Sequence, residues 1–204
     1  MKKILTISRQ YSSGGREIGK KLAEIWDIPF YDNELITRAA KESGFCPEAF
    51  EGAESRATSS LLYSIARGMV TAGNMHTTFN NLSLDDRLYM AQADIIRKVA
   101  DEGPCVIVGR CADYILRKRS DVVNIFVQAD MPFRIERAQR IDGMPGEKIE
   151  ENIRKMDKRR YNYYNFHTGE KWGKAENYSL CINSSRVGIE KAVECIKMYV
   201  ESVE

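Results

Sequence analysis

Apolar positions along this chain follow two alternating rhythms. Short, mainly apolar runs at Ile4–Ile7, Ile28–Tyr31, Cys105–Val108, Val122–Val127 and Tyr178–Ile182 have strand length, and Cys105–Val108 is apolar throughout, as strands covered on both faces are. Between them the apolar residues return every three or four positions. Ile18, Leu22, Ile25 and Trp26 predict a helix over 16–26; Leu35, Ile36, Ala39 and Ala40 predict a second, capped by Asp32 or Asn33 and stopped at Gly44. Leu84, Leu88, Ala91, Ile95 and Val99 predict a long third, with Asp85 and Asp86 at its start and Gly103 at its close. Another opens at Asp130-Met131-Pro132, and Ile189, Ala192, Val193, Ile196 and Val200 form the last. Strand and helix in alternation, with five strand candidates, call for a doubly wound parallel sheet.

Two stretches break the pattern. From Phe45 to Leu84 only Phe50, Leu61, Leu62, Ile65 and Met69 hint at one or two helices, and Gly68–Asn81 has no charged residue. Inside a compact domain such a segment is expected to be a substrate-binding insertion or lid, and His76 within it is read as a solvated loop residue. From Glu147 to Asn165 the stripe Ile149, Ile153, Met156 gives way to Lys155, Lys158, Arg159 and Arg160 around Asp157, then to Tyr161, Tyr163, Tyr164 and Phe166. Cations interleaved with rings fit either nucleic acid or a lid closing on a nucleotide. The balance of 31 Lys+Arg against 29 Asp+Glu, net +2, favours the lid over nucleic acid.

The 204 residues fit one domain. The five cysteines form no CxxC pair and are read as reduced packing residues of a cytoplasmic protein, with no signal peptide before the first strand and no apolar run of bilayer length. Oligomer formation is left open.

The chemistry concentrates in Ser12-Ser13-Gly14-Gly15, a small-residue turn between the first strand and the first helix. Such a turn lets successive N–H groups and a helix N-terminus face a phosphate. If Gly15 takes the second glycine of the pattern Gly-x4-Gly-Lys-Ser/Thr, the first falls on Gln10, the lysine on Arg16 and the hydroxyl on Glu17. Arg16 can neutralise phosphate bidentately; Glu17 must ligate Mg²⁺ or turn away. An ordinary turn with no ligand stays open as the alternative. Asp32 and Arg110 stand at carboxyl ends of strands, where ligands gather in open α/β sheets. Asp32 is read equally as a helix cap, and Arg110 as a phosphate ligand, while Arg134, Arg137 and Arg140 are read as a solvated face.

Taken together, SRQYSSGGREIGKKLA, FYDNELITRAA, CVIVGRCADYIL, KMDKRRYNYYNFHTGEKWG and YSLCINSS resemble the cytidylate-kinase-like group of nucleoside monophosphate kinases over almost the whole chain. The resemblance implies a central first strand, a nucleotide-binding insertion over about 45–84 and an arginine-bearing lid over about 155–175. It implies ATP and Mg²⁺ as cofactors, with Ser12, Ser13, Gly14, Gly15, Arg16 and Glu17 around the donor phosphates. Asp32, Arg38, Arg110, Asp113, Asp157 and Arg160 would hold the acceptor, with Arg16, Asp32 and Arg160 acting in catalysis and Glu17 or Asp32 near the metal. Three departures stand out: Arg16 in place of lysine, Glu17 in place of a hydroxyl, and Cys111 in place of an aspartate. The expected activity is ATP-dependent phosphoryl transfer to a small acceptor, chiefly a nucleoside monophosphate. The alternative is a nucleotide-binding regulatory protein with an impaired loop.

Overall fold

The computed structural model describes residues 3–32, 34–44, 83–144 and 146–203. Its strands β1 (Ile4–Arg9), β2 (Phe30–Tyr31), β3 (Val106–Val108), β4 (Val122–Gln128) and β5 (Leu180–Asn183) form one sheet in the order β2-β3-β1-β4-β5. Every pairing is parallel, and Leu5 in the central strand lies beside Val106 on one side and Val123 on the other. The sheet is therefore the doubly wound form that the alternation of elements predicts. Because β2 and β4 lie on opposite sides of the β3–β1 pair, the chain leaves β1 toward one edge and later crosses to the other. In such sheets the crevice for ligands opens where the carboxyl ends of the strands diverge.

Both faces are covered. On one, Leu5, Ile7, Val108, Ile125 and Val127 pack against α1 (Gly15–Trp26) and α8 (Ile189–Ser202). On the other, Ile4 and Ile107 pack against α2 (Glu34–Ser43), α3 (Leu84–Glu102), α4 (Ala112–Ile115) and α6 (Ile149–Thr168). Helix α5 (Met131–Arg140) meets α6 through Ala138, Ile149 and Ile153, and a short α7 (Ser184–Val187) leads into α8. Ser83 caps α3 by accepting from the Asp86 N–H at 3.1 Å.

The insertion expected over about 45–84 lies outside the described residues up to position 82, and His76 and Cys46 with it. Of the described cysteines, Cys105 and Cys111 are buried as packing residues should be. Cys181 and Cys195 are exposed, because β5 is an edge strand and Cys195 lies on the outer side of α8. Among the described residues no helix is long and apolar enough to cross a membrane.

Candidate active site

The link from β1 to α1 is short, and its backbone is fixed from several directions. The Gln10 N–H donates to the Val127 carbonyl at 3.0 Å, and the Gln10 side chain accepts from the Ala129 N–H at 3.0 Å. Ser13 is fully buried, and its hydroxyl lies 2.9 Å from the Gln10 carbonyl and 3.1 Å from that of Val127. The Ser184 hydroxyl donates to the Ser13 carbonyl at 2.6 Å. Ser13 thus serves the loop's own architecture, with its side chain turned inward. Ser12 (φ 57°) and Gly14 (φ 84°) both adopt left-handed backbone, and the chain enters α1 at Gly15. The first turn of a helix has no internal acceptors for its amides. The N–H groups of Gly15, Arg16 and Glu17 accordingly face the turn at the positive end of the helix, an arrangement that suits phosphate.

The backbone also shifts the register of the phosphate-loop pattern by one. The glycine closing the turn in left-handed conformation is Gly14, and Gly15 is already the first residue of α1. With Gly14 as the second glycine, the first position is Arg9, the lysine position is Gly15 and the hydroxyl position is Arg16.

Guanidinium groups surround the turn. A cleft of about 360 Å³ is lined by residues 9–17 together with Lys20, Arg137, Asp142 and Arg160. Arg16, largely exposed, donates from Nε to Asp32 Oδ2 at 2.5 Å, while Asp32 is only 6% exposed and has Arg9 Nη2 at 3.9 Å from its other oxygen. Arg160 donates from Nη1 to the Arg9 carbonyl at 3.0 Å and lies over the Tyr11 ring at 5.4 Å. A smaller neighbouring pocket is lined by Arg9, Gly109, Arg110, Arg160, Tyr163 and Trp172, so Arg9 and Arg160 belong to both. Arg110 leaves β3 within three consecutive left-handed residues, Gly109, Arg110 and Cys111.

Arg134 and Arg137 are not the solvated face expected for them. They are 3% and 8% exposed. At i and i+3 on α5, which follows the strand next to β1, both project toward the turn between β1 and α1. Arg137 donates from Nη2 to Glu17 Oε2 at 2.7 Å. Arg134 donates from Nε to the Tyr11 carbonyl at 2.7 Å and pairs with Asp157, whose other oxygen accepts from the Tyr11 N–H at 2.6 Å. Asp157, expected at a ribose, thus grips the loop. Only Arg140 of the three is exposed, with Glu136 beside it.

The remaining expected residues lie apart. Asp113 is 3% exposed, accepts from the Tyr164 hydroxyl at 2.8 Å, and has its second oxygen buried without a hydrogen-bond partner. Burial pushes its carboxyl up to about 6, against the opposing pull of the Tyr164 hydrogen bond. It opens on a separate cavity beside Tyr114, Arg117 and Asn124. Arg38 reaches back to Glu102 at 3.3 Å and to the Tyr31 hydroxyl at 3.5 Å, and lines neither pocket. Residues 155–168, expected to be part of a lid, belong to the continuous helix α6, with Tyr163 and Tyr164 in the core.

The turn fits a nucleotide's phosphates. The two carboxylates expected near a metal do not fit one: Glu17 is held by Arg137 and Asp32 by Arg16 and Arg9. Among the described residues no group of three potential metal-ligating side chains converges.

Comparison with solved structures agrees with this architecture. An uncharacterized protein from Eubacterium ventriosum is 28% identical with a TM-score of 0.73, over 98% of this chain and 99% of that one. Shikimate kinase from Bacteroides thetaiotaomicron is 12% identical with a TM-score of 0.53, over 98% and 99%. Shikimate kinase from Acinetobacter baumannii, in complex with shikimate, is 11% identical with a TM-score of 0.53, over 99% and 94%. At those identities the two kinases establish a shared fold. Comparison with curated protein sequences gives no match. The model of the cytidylate kinase-like family matches residues 4–186, a span that takes in all five strands, the turn between β1 and α1 and the arginines around it. The chain belongs to the cytidylate kinase-like family.

Proposed function

We propose that the protein transfers the terminal phosphoryl group of ATP to a small acceptor, with nucleoside monophosphates as the acceptor class. The observation that carries this reading is the meeting of helix-terminal amides with Arg9, Arg16, Arg137 and Arg160 in one cleft, which shares two of those arginines with the pocket of Arg110. Phosphoryl transfer asks little covalent chemistry of a protein; positioning and neutralisation of charge on the oxygens dominate. The amides of α1 would seat the donor's terminal phosphates. Arg16 and Arg160, at the rim, would follow the charge as it moves, and Arg110 would hold the acceptor's anionic group in the adjoining pocket. Asp32 keeps Arg16 oriented in the absence of ligand. No step is assigned to a metal held by Glu17 or Asp32.

The test offers ATP with a panel of nucleoside monophosphates, shikimate and simple alcohols, and follows ADP release. Acceptor-dependent ADP release is the expected result, and the Arg16→Ala variant should lose it, by on the order of 10²-fold or more, with its fold intact. ADP formed at the buffer rate with every acceptor, alongside calorimetric ATP binding, would instead identify a nucleotide-binding regulatory protein.

A further inference from the structure

We propose that Arg9 supplies the phosphate-bridging positive charge that a lysine supplies in the regular form of this loop, the cation having moved from the residue after the second glycine to the residue at the first. This rests on the phosphoryl-transfer reading above. In the regular pattern the first position is glycine and the position after the second glycine is lysine; here they are Arg9 and Gly15, the reverse arrangement. The two positions share one space. A Cβ built on Gly15 would lie 2.6 Å from Arg9 Cβ, closer than side-chain atoms pack, and 3.1 Å from Arg9 Cγ and 3.3 Å from Val127 Cβ, tight contacts that a small shift relieves. Only one of the two residues can therefore carry a side chain, and in this chain it is Arg9.

The path of that side chain is defined along its length. Its stem lies over Gly15, and its guanidinium lies against Gly109, another position where a Cβ would collide with it. Nη2 stands 3.9 Å from Asp32 Oδ1, beyond hydrogen-bond reach yet close enough to orient the group. The Arg9 carbonyl is held by Arg160. The side chain is 21% exposed and lines both the phosphate cleft and the pocket of Arg110. A phosphoryl group passing from one pocket to the other would pass this guanidinium, and its planar fork can engage two oxygens at once.

The decisive comparison uses the full chain with Arg9→Ala, Gly15→Lys and the exchange Arg9→Gly/Gly15→Lys, measuring ATP and adenosine affinity by calorimetry and acceptor-dependent ADP release. Arg9→Ala should lower turnover by about 10²–10³-fold and weaken ATP at least tenfold while leaving adenosine affinity unchanged. Gly15→Lys alone should be destabilised, as two side chains compete for one space. The exchange variant, which restores the regular pattern, should recover turnover to within about tenfold of wild type, a non-additive rescue. Wild-type ATP affinity and turnover in Arg9→Ala would overturn the proposal and leave phosphoryl transfer standing. A wild-type protein that neither binds nor turns over ATP would overturn both. If Arg9→Ala does not fold, the exchange variant decides alone: folded and active supports the relocated cation, folded and inactive refutes it.

Discussion

Replacing Asp157 separates a structural clamp from a ligand contact. Its carboxylate accepts from the Tyr11 N–H at 2.6 Å and pairs with Arg134, whose Nε donates to the Tyr11 carbonyl at 2.7 Å. Both sides of one loop residue are thus held by a closed ring of hydrogen bonds spanning α5, α6 and the phosphate turn. The side chains are 18% and 4% exposed, so little water is at hand to replace the lost partner. Breaking a buried pair by removing one member costs about 3–5 kcal/mol, most of it from the charge left behind. The Tyr11 hydrogen bond, at about 1.5–3 kcal/mol for a charged acceptor, is part of the same loss and is not added to it. Asp157→Ala should therefore lose about 4 kcal/mol. With a denaturant slope of about 2 kcal/mol/M, the urea midpoint followed by tryptophan fluorescence should fall by about 2 M. The double variant Arg134→Met/Asp157→Ala, which leaves no unpaired charge, should recover a substantial part of that loss. An Asp157→Ala protein with an unmoved midpoint and reduced nucleotide affinity would refute the clamp and return Asp157 to the ribose.

Two further outcomes follow from the geometry. Asp113, pushed up to about 6 by burial, prefers its protonated form in the folded state more than in the unfolded chain, where its pKa is about 3.9. Its contribution to stability is complete below about pH 4 and is lost as pH rises through 6. Relative to Asp113→Asn, the wild type should therefore lose about 2 kcal/mol between pH 4 and pH 7, read from urea unfolding at each pH. Parallel pH dependences would contradict the burial account. Gly14→Ala places a Cβ at a φ of 84°, against the Ile189 side chain and 3.5 Å from Arg137 Cζ. It should cost about 1–2 kcal/mol in thermal unfolding and weaken ATP in calorimetry, and unchanged values in both would argue against a left-handed turn there.

The sheet was legible because a parallel strand covered on both faces is apolar at nearly every position, and Val106–Val108 and Val122–Val127, broken only at Asn124, announce that without help from neighbours. The tight turn between β1 and α1 was legible by its small residues, though not the residue at which the helix begins, since Gly14 and Gly15 differ only in backbone angle. Arg134 and Arg137 were misread because burial depends on what lies across from a helix face. From the sequence an i, i+3 pair of arginines is equally a wet face or a clamp. In α6 the stripe Ile149, Ile153, Met156 continues at the same spacing through Arg160, Tyr163, Tyr164 and His167. Followed to its end, that stripe places the two tyrosines in the core and directs Arg160 inward to the Arg9 carbonyl. Asp113 and Asp157 lie next to functional-looking neighbours in sequence, and only the groups that donate to them, the Tyr164 hydroxyl and the Tyr11 N–H, show what they do.

The clamp and the relocated cation have a common cause. A loop whose first position carries an arginine and whose fourth carries Ser12 in left-handed backbone gives up the glycine that would make such a path easy. A residue with a Cβ in that conformation costs about 1–3 kcal/mol and persists only where its surroundings over-determine it. Here the surroundings do so through side chains directed at backbone: Gln10 on the Ala129 N–H, Ser13 on the Gln10 and Val127 carbonyls, Ser184 on the Ser13 carbonyl, and Asp157 and Arg134 on either side of Tyr11. Each of these is an external constraint on a turn that glycines would otherwise shape by themselves. A turn held in this way is already arranged before an anion arrives, so its amides and the Arg9 guanidinium need little reorganisation as charge develops on a phosphoryl group.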